Sequence, residues 1–246
     1  MKHERDTKPS PGRRSDGRRA LAVSLAIPVL AVVTVFIAAG AIPPPFGAEP
    51  GRESRAAVVL RDDVTPFQEW GTRAFTYGQL AANYGHVEYL TQEPGDAKHA
   101  AFVTALRAAL ESHDHVDLFL LAHTNSFIDW VSEIDPGLRR RIRLVYNTGC
   151  WGAAQADDWL GAKADAYVGH PGESESEVFY VYFLRRWLRG SSVREAVEAS
   201  NRDTRTFLRL SRRLLFGERP FDELWTATRA AAFGADGVAI AARTDQ

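Results

Sequence analysis

A chain of 246 residues, 45% hydrophobic and 25% charged, has the composition of an ordinary folded domain, which excludes a disordered or fibrous chain. The net charge of −1 hides an uneven spread: residues 1–19 carry seven Lys/Arg against three Asp/Glu, and the remainder carries 23 against 28. A slightly acidic remainder argues against nucleic acid as the main partner, because phosphate binding needs a basic face.

Residues 1–19 read as a basic cytoplasmic tail. Residues 20–42 form an uncharged apolar run, long enough at about 1.5 Å per residue to cross a hydrocarbon core of roughly 30 Å. Arg13, Arg14, Arg18 and Arg19 precede it, so the positive-inside rule holds the amino terminus in the cytoplasm and places the body outside. The expectation is a single-pass signal anchor ended by Pro43-Pro44-Pro45. The competing reading is a signal peptide cleaved near Ala39-Gly40-Ala41, which would release a secreted body. Residues 43–55, rich in Pro, Gly and charge, read as a linker, and residues 56–246 as one α/β domain.

Within the body, apolar runs alternate with helical patterns. Strands are expected over 56–60, 87–90, 116–122, 142–146 and 164–169; helices over 66–83, 96–112, 136–141, 153–160, 173–188 and 192–215, the last kinked or composite. Phe102, Leu106 and Leu110 recur at four-residue spacing, and Phe179, Tyr182, Phe183 and Trp187 share an apolar helix face. Trp225 and Phe233 are expected to pack back on the core. This alternation predicts a mostly parallel open sheet with helices on both faces.

Open α/β sheets place their sites at the carboxyl ends of strands. Two expected strands end in residues able to act together, His123 and Cys150. A thiol needs a base or a positive neighbour to become a nucleophile, and an imidazole supplies one. Cys150 is the only cysteine, so an intramolecular disulfide is impossible. Gly149 permits a tight turn before it, Trp151 stands ready to wall the thiol, and the Cys150 amide is a candidate oxyanion donor. His170, after the fifth strand, is on the edge expected to line the pocket. Asp129, Asp157, Asp158, Glu173 and Glu175 lie near these loops; Asp129 and Glu173 are candidate substrate carboxylates for a basic P1 side chain, against a plainer reading as solvated charges. His113 and His115 sit at the opposite strand end from His123, so no metal site is expected. Without a Gly-rich phosphate loop or dinucleotide fingerprint, no cofactor is expected either.

VDLFLLAH at Val116–His123, followed by IRLVYNTGCWGA at Ile142–Ala153, resembles the caspase-like cysteine peptidase superfamily of caspase, legumain, gingipain and CHAT-type domains. The later stretch from Arg189 to Ala196 is similar to the turn into a helix seen in CHAT-type domains. The resemblance, spanning roughly residues 56–201, implies a three-layer fold with Cys150 as nucleophile and His123 as base, hydrolysing peptide bonds. It also implies an oxyanion donor straight after the histidine. Family members carry Gly there and this chain has Thr124, then Asn125. The β-branched threonine disfavours positive φ, which keeps open a catalytically inactive module that binds a partner at the cell envelope. A structural envelope protein with a buried Cys150 is the third reading.

Overall fold

The computed structural model describes residues 51–62, 66–92, 98–123, 126–215 and 217–240. The chain divides into two units, Met1–Gly40 and Ala41–Gln246. The basic tail, the apolar segment and most of the linker lie outside the described residues, among which no helix is long and apolar enough to cross a membrane.

The five anticipated strands form, and a sixth joins them. β1 (Arg55–Asp62), β2 (His86–Gln92), β3 (His115–Leu121), β4 (Ile142–Asn147), β5 (Ala166–Gly169) and β6 (Ala231–Gly234) make one sheet in the order β2-β1-β3-β4-β5-β6. The first five run parallel, and β6 pairs antiparallel with β5. The helices are α1 (Pro66–Asn83), α2 (His99–Ser112), α3 (Phe127–Ser132), α4 (Pro136–Arg139), α5 (Ala156–Gly161), α6 (Ser176–Leu188), α7 (Val193–Leu215) and α8 (Phe221–Thr228).

Strand side chains alternate between faces, so the sheet feeds two cores. On one face Val58, Leu118 and Val145 meet Phe102, Leu106 and Leu110 of α2 and Trp159 of α5. On the other, Val59, Phe119 and Tyr146 meet Leu80 of α1, Phe179, Phe183 and Trp187 of α6, and Val193 and Val197 of α7. The body is therefore a three-layer α/β/α sandwich, as the alternating pattern anticipated.

The differences are local. α6 starts at Ser176 rather than Glu173, and the Glu175 amide before it donates to the Thr228 hydroxyl at 3.1 Å. α7 runs as one continuous helix rather than as a composite of two. The sequence reading missed α3, α8 and β6. Ala-Ala-Phe-Gly has no β-branched residue to mark it as a strand. It pairs where only glycine fits at its end: Gly234 has φ +92°, and a Cβ there would lie 2.3 Å from the Asp165 carbonyl oxygen. Phe233 packs beside Tyr167 as anticipated, and Trp225 is half-buried beneath Arg205.

The register between β3 and β4 shifts at their amino ends. Val116 pairs with Ile142, but Asp117 pairs with Leu144, so Arg143 is the extra residue of a bulge. Its guanidinium grips buried Asp117 with two bonds, Nε to Oδ1 at 3.0 Å and Nη2 to Oδ2 at 2.7 Å. Tyr84 Oη donates to Asp117 Oδ2 at 2.5 Å, Trp187 Nε1 donates to Tyr84 Oη at 2.9 Å, and Arg143 Nη1 donates to the Ile240 carbonyl at 2.6 Å. Burial works against the Arg143 charge, yet the adjoining Asp117 carboxylate holds the guanidinium above its ordinary value.

Removing one member of this pair strands a buried charge. Arg143→Ala is expected to lose about 3–5 kcal/mol of unfolding free energy in urea denaturation. The paired change of Asp117→Leu with Arg143→Met is expected to lose less than either single change, because it removes both charges together.

Candidate functional site

β3 and β4 are adjacent and parallel, so the segments leaving them emerge at the same edge of the sheet. His123 lies two residues beyond Leu121 and is exposed; Cys150 lies three residues beyond Asn147 and is half-buried. The edge is also where the sheet's winding reverses. β1 leads outward to β2, and the chain then crosses to β3 on the other side of β1.

Thr148 ties the two exits together. Its amide donates to the Leu120 carbonyl at 2.9 Å, and its hydroxyl accepts from the Ala122 amide at 2.9 Å. The residue before His123 is thus fastened to the residue two before Cys150. Buried Asn147 shapes the turn: its Oδ1 accepts from the Gly149 amide at 2.8 Å, and its amide nitrogen donates to Tyr167 Oη at 3.1 Å. Tyr167 Oη in turn donates to the Gly152 carbonyl at 2.7 Å. Gly152 is buried here, where a Cβ would come 3.2 Å from Tyr167 Oη and 3.3 Å from the Asn147 amide nitrogen.

The residue after the thiol carries the unusual backbone. Trp151 has φ +62°, the left-handed region that favours glycine, while remaining 60% exposed. The turn is fixed by its own amides. Those of Trp151, Gly152 and Ala153 donate to the carbonyls of Gly172, Gly149 and His170 at 3.2, 3.0 and 2.9 Å. The segment then enters a 3-10 turn, Gly152–Gln155, and α5, close to the helix expected over 153–160.

The other anticipated residues fall in different places. Thr124 and Asn125 lie outside the described residues. His170 leaves β5 at the expected edge but is fully buried, so it lines no open pocket. Its Nδ1 bonds the Thr228 carbonyl at 2.7 Å, its Nε2 faces Tyr146 Oη at 3.3 Å, and Phe179 meets its ring edge-on. Burial lowers its pKa to about 4, with the Thr228 bond working the other way. Asp129, in the first turn of α3, and Glu173, after β5, are both exposed and leave from different strands. Asp157 and Asp158 occupy the first turn of α5, and Glu175 pairs with Arg219 at 3.6 Å. The sequence reading passed over Arg61. It is buried at the carboxyl end of β1, level with Leu121, and puts a cation at this edge of the sheet. A charged residue closing an otherwise apolar run was the available signal.

No protein-family model and no curated protein matches the chain. Among solved structures, a chain of the Saccharomyces cerevisiae separase–securin complex is similar at 10% identity and a TM-score of 0.46. The likeness covers 74% of this chain and 12% of that one, so this chain spans about an eighth of that neighbour's length.

Two expected outcomes follow from the geometry. Trp151→Gly should exceed Trp151→Ala in stability by about 1 kcal/mol in urea unfolding, since both remove the indole and only alanine keeps a Cβ in the left-handed region. His170, with an ordinary value of 6.5 and a folded value of about 4, stays neutral in the folded protein while the unfolded chain takes up its proton. The stability it contributes is present above pH 6.5 and is lost as pH falls toward 4, at about 1 kcal/mol per pH unit. Unfolding curves collected across that window should be steeper in pH for the wild type than for His170→Phe.

Proposed function

We propose that the body is a caspase-like cysteine peptidase, with Cys150 as nucleophile and His123 as general base and acid. The observation that carries this reading is the shared exit of β3 and β4 at one sheet edge, with Thr148 fastening the two segments. The Cys150 thiolate attacks the peptide carbonyl carbon, and the tetrahedral oxyanion is held by the Cys150 amide and by that of Thr124. The amides of Trp151, Gly152 and Ala153 are spent on internal carbonyls and have no part in that role. As the intermediate collapses the C–N bond breaks, and His123 gives the thiol's proton to the leaving amine. Water, deprotonated by His123, then attacks the thioester; the C–S bond breaks and frees the carboxylic acid and the thiol. The substrate is a peptide or protein, and the apolar segment over 20–42 holds the body at the outer face of a membrane.

The inactive-module reading draws on Trp151, an exposed indole beside the thiol and the kind of rigid anchor that binding surfaces use.

A peptide library cleaved by the purified chain separates these readings. Cys150→Ala and His123→Ala should each lower kcat/KM by roughly 10³-fold or more, while iodoacetamide should alkylate Cys150 faster in the wild type than in His123→Ala. Cleavage by Cys150→Ala at the wild-type rate would remove the thiol from the mechanism. A chain that cleaves nothing, yet captures a partner through a surface lost in Trp151→Ala, would support the inactive module.

A further inference from the structure

From the arginine face of α7 we infer that this helix rests on an anionic lipid surface. Residues 204–215 contain Arg205, Arg209, Arg212 and Arg213 and no acid, although the body as a whole is slightly acidic. Arg202, Arg205, Arg209 and Arg213 follow one another at three- and four-residue steps, which places them on one side of the helix. All four are exposed, while Thr204, Phe207, Leu208 and Ser211 turn inward. Among the described residues, no ion pair is made by any of the four.

Two of the arginines are held in place. The Arg205 guanidinium lies 5.7 Å from the Trp225 ring centre, and that of Arg209 lies 5.3 Å from the Phe221 ring centre, both rings belonging to α8. Beside this face Leu210 is 84% exposed, the most of any large hydrophobic side chain described. Water gives an isolated leucine nothing at such a position. A lipid interface takes the arginines at its headgroups and the leucine at the acyl boundary.

The exposed leucine favours lipid over nucleic acid, whose backbone would reward the arginines alone. The membrane as occupant rests on reading 20–42 as an anchor. Residues 51–55 already belong to the body, so only residues 43–50 separate it from that segment, and at no more than roughly 3.6 Å each the body would begin within about 30 Å of that surface. The helix then fixes which side of the body faces the lipid, which the tether alone leaves free.

The test uses the full chain with Cys150→Ser and Thr206→Cys, labelled at position 206, on the arginine face, with a polarity-sensitive dye. It is mixed with vesicles of phosphatidylcholine alone or with one-third phosphatidylglycerol. The expected result is a blue shift with the anionic vesicles only, reversed in 1 M salt, where the Debye length is roughly 3 Å. At saturating anionic lipid the ratio of shifted to unshifted emission should fall about fivefold for each arginine changed to glutamine among Arg202, Arg205, Arg209 and Arg213. Identical emission with both vesicle types overturns the inference. A shift produced by a single-stranded oligonucleotide, and not by anionic vesicles, also overturns it, in favour of nucleic acid. Flotation with the neutral vesicles reports the anchor separately, so failure of the anchor and failure of the α7 contact are distinguishable.

Discussion

The buried ion pair between Asp117 and Arg143 sets the register on which the proposed site depends. Arg143 sits in a bulge, and that extra residue offsets everything downstream in β4 by one position relative to β3. Without the bulge, Leu120 would face Tyr146. With it, Leu120 faces Asn147, and Thr148 reaches the amide of Ala122. A slip of one residue would move the turn carrying Cys150 by about 3.3 Å and exchange the faces of β4. The pair lies at the amino ends of the strands and the chemistry at their carboxyl ends, so the foot of the sheet governs its rim. Tyr84, Trp187 and the Ile240 carbonyl complete the pair's hydrogen bonds, joining α6, the end of α1 and the carboxy-terminal stretch to the same point.

At the rim, rigidity comes from polar groups rather than packing alone. Asn147, Thr148 and Tyr167 bond the Gly149 amide, the Ala122 amide and the Gly152 carbonyl, and the exit from β5 receives the amides of Trp151 and Ala153. Such a frame can hold Trp151 in a left-handed conformation that an unsupported loop would relax. His170 supports the same frame from below. Its neutral ring bonds α8 to the aromatic stack of Tyr146 and Phe179, which is a structural role and accounts for its burial.

Much of the sheet was legible because buried parallel strands leave continuous apolar runs, as in Ala56–Leu60 and Leu118–Leu121. β6 was not, since its four residues carry no strand signature and pair only because β5 offers an edge and Gly234 fits beneath Asp165. His123 and Cys150 were legible as strand-end residues. The bulge at Arg143 was not, because a charge early in a strand reads the same whether it is paired or solvated. Gly149 looked like the residue that permits the turn, yet the positive φ falls on Trp151. His170 looked like a pocket residue because position along the chain gives the edge of the sheet but not the depth. The basic face of α7 was hidden by averaging, since its arginines are offset by acids elsewhere in the body.

In the proposed mechanism the His123 imidazole and the Cys150 thiol serve the same scissile bond, which requires them to stand within reach of each other. A short bifunctional alkylator such as 1,3-dibromoacetone tests this directly, because it reacts first with a thiol and then bridges only to a nucleophile within its own span. After proteolysis, mass spectrometry should find the peptide containing Cys150 joined to the peptide containing His123, with the bridge absent from His123→Ala. A reagent that reacts at Cys150 and remains a single-ended adduct, or that bridges to a different residue, would contradict the account.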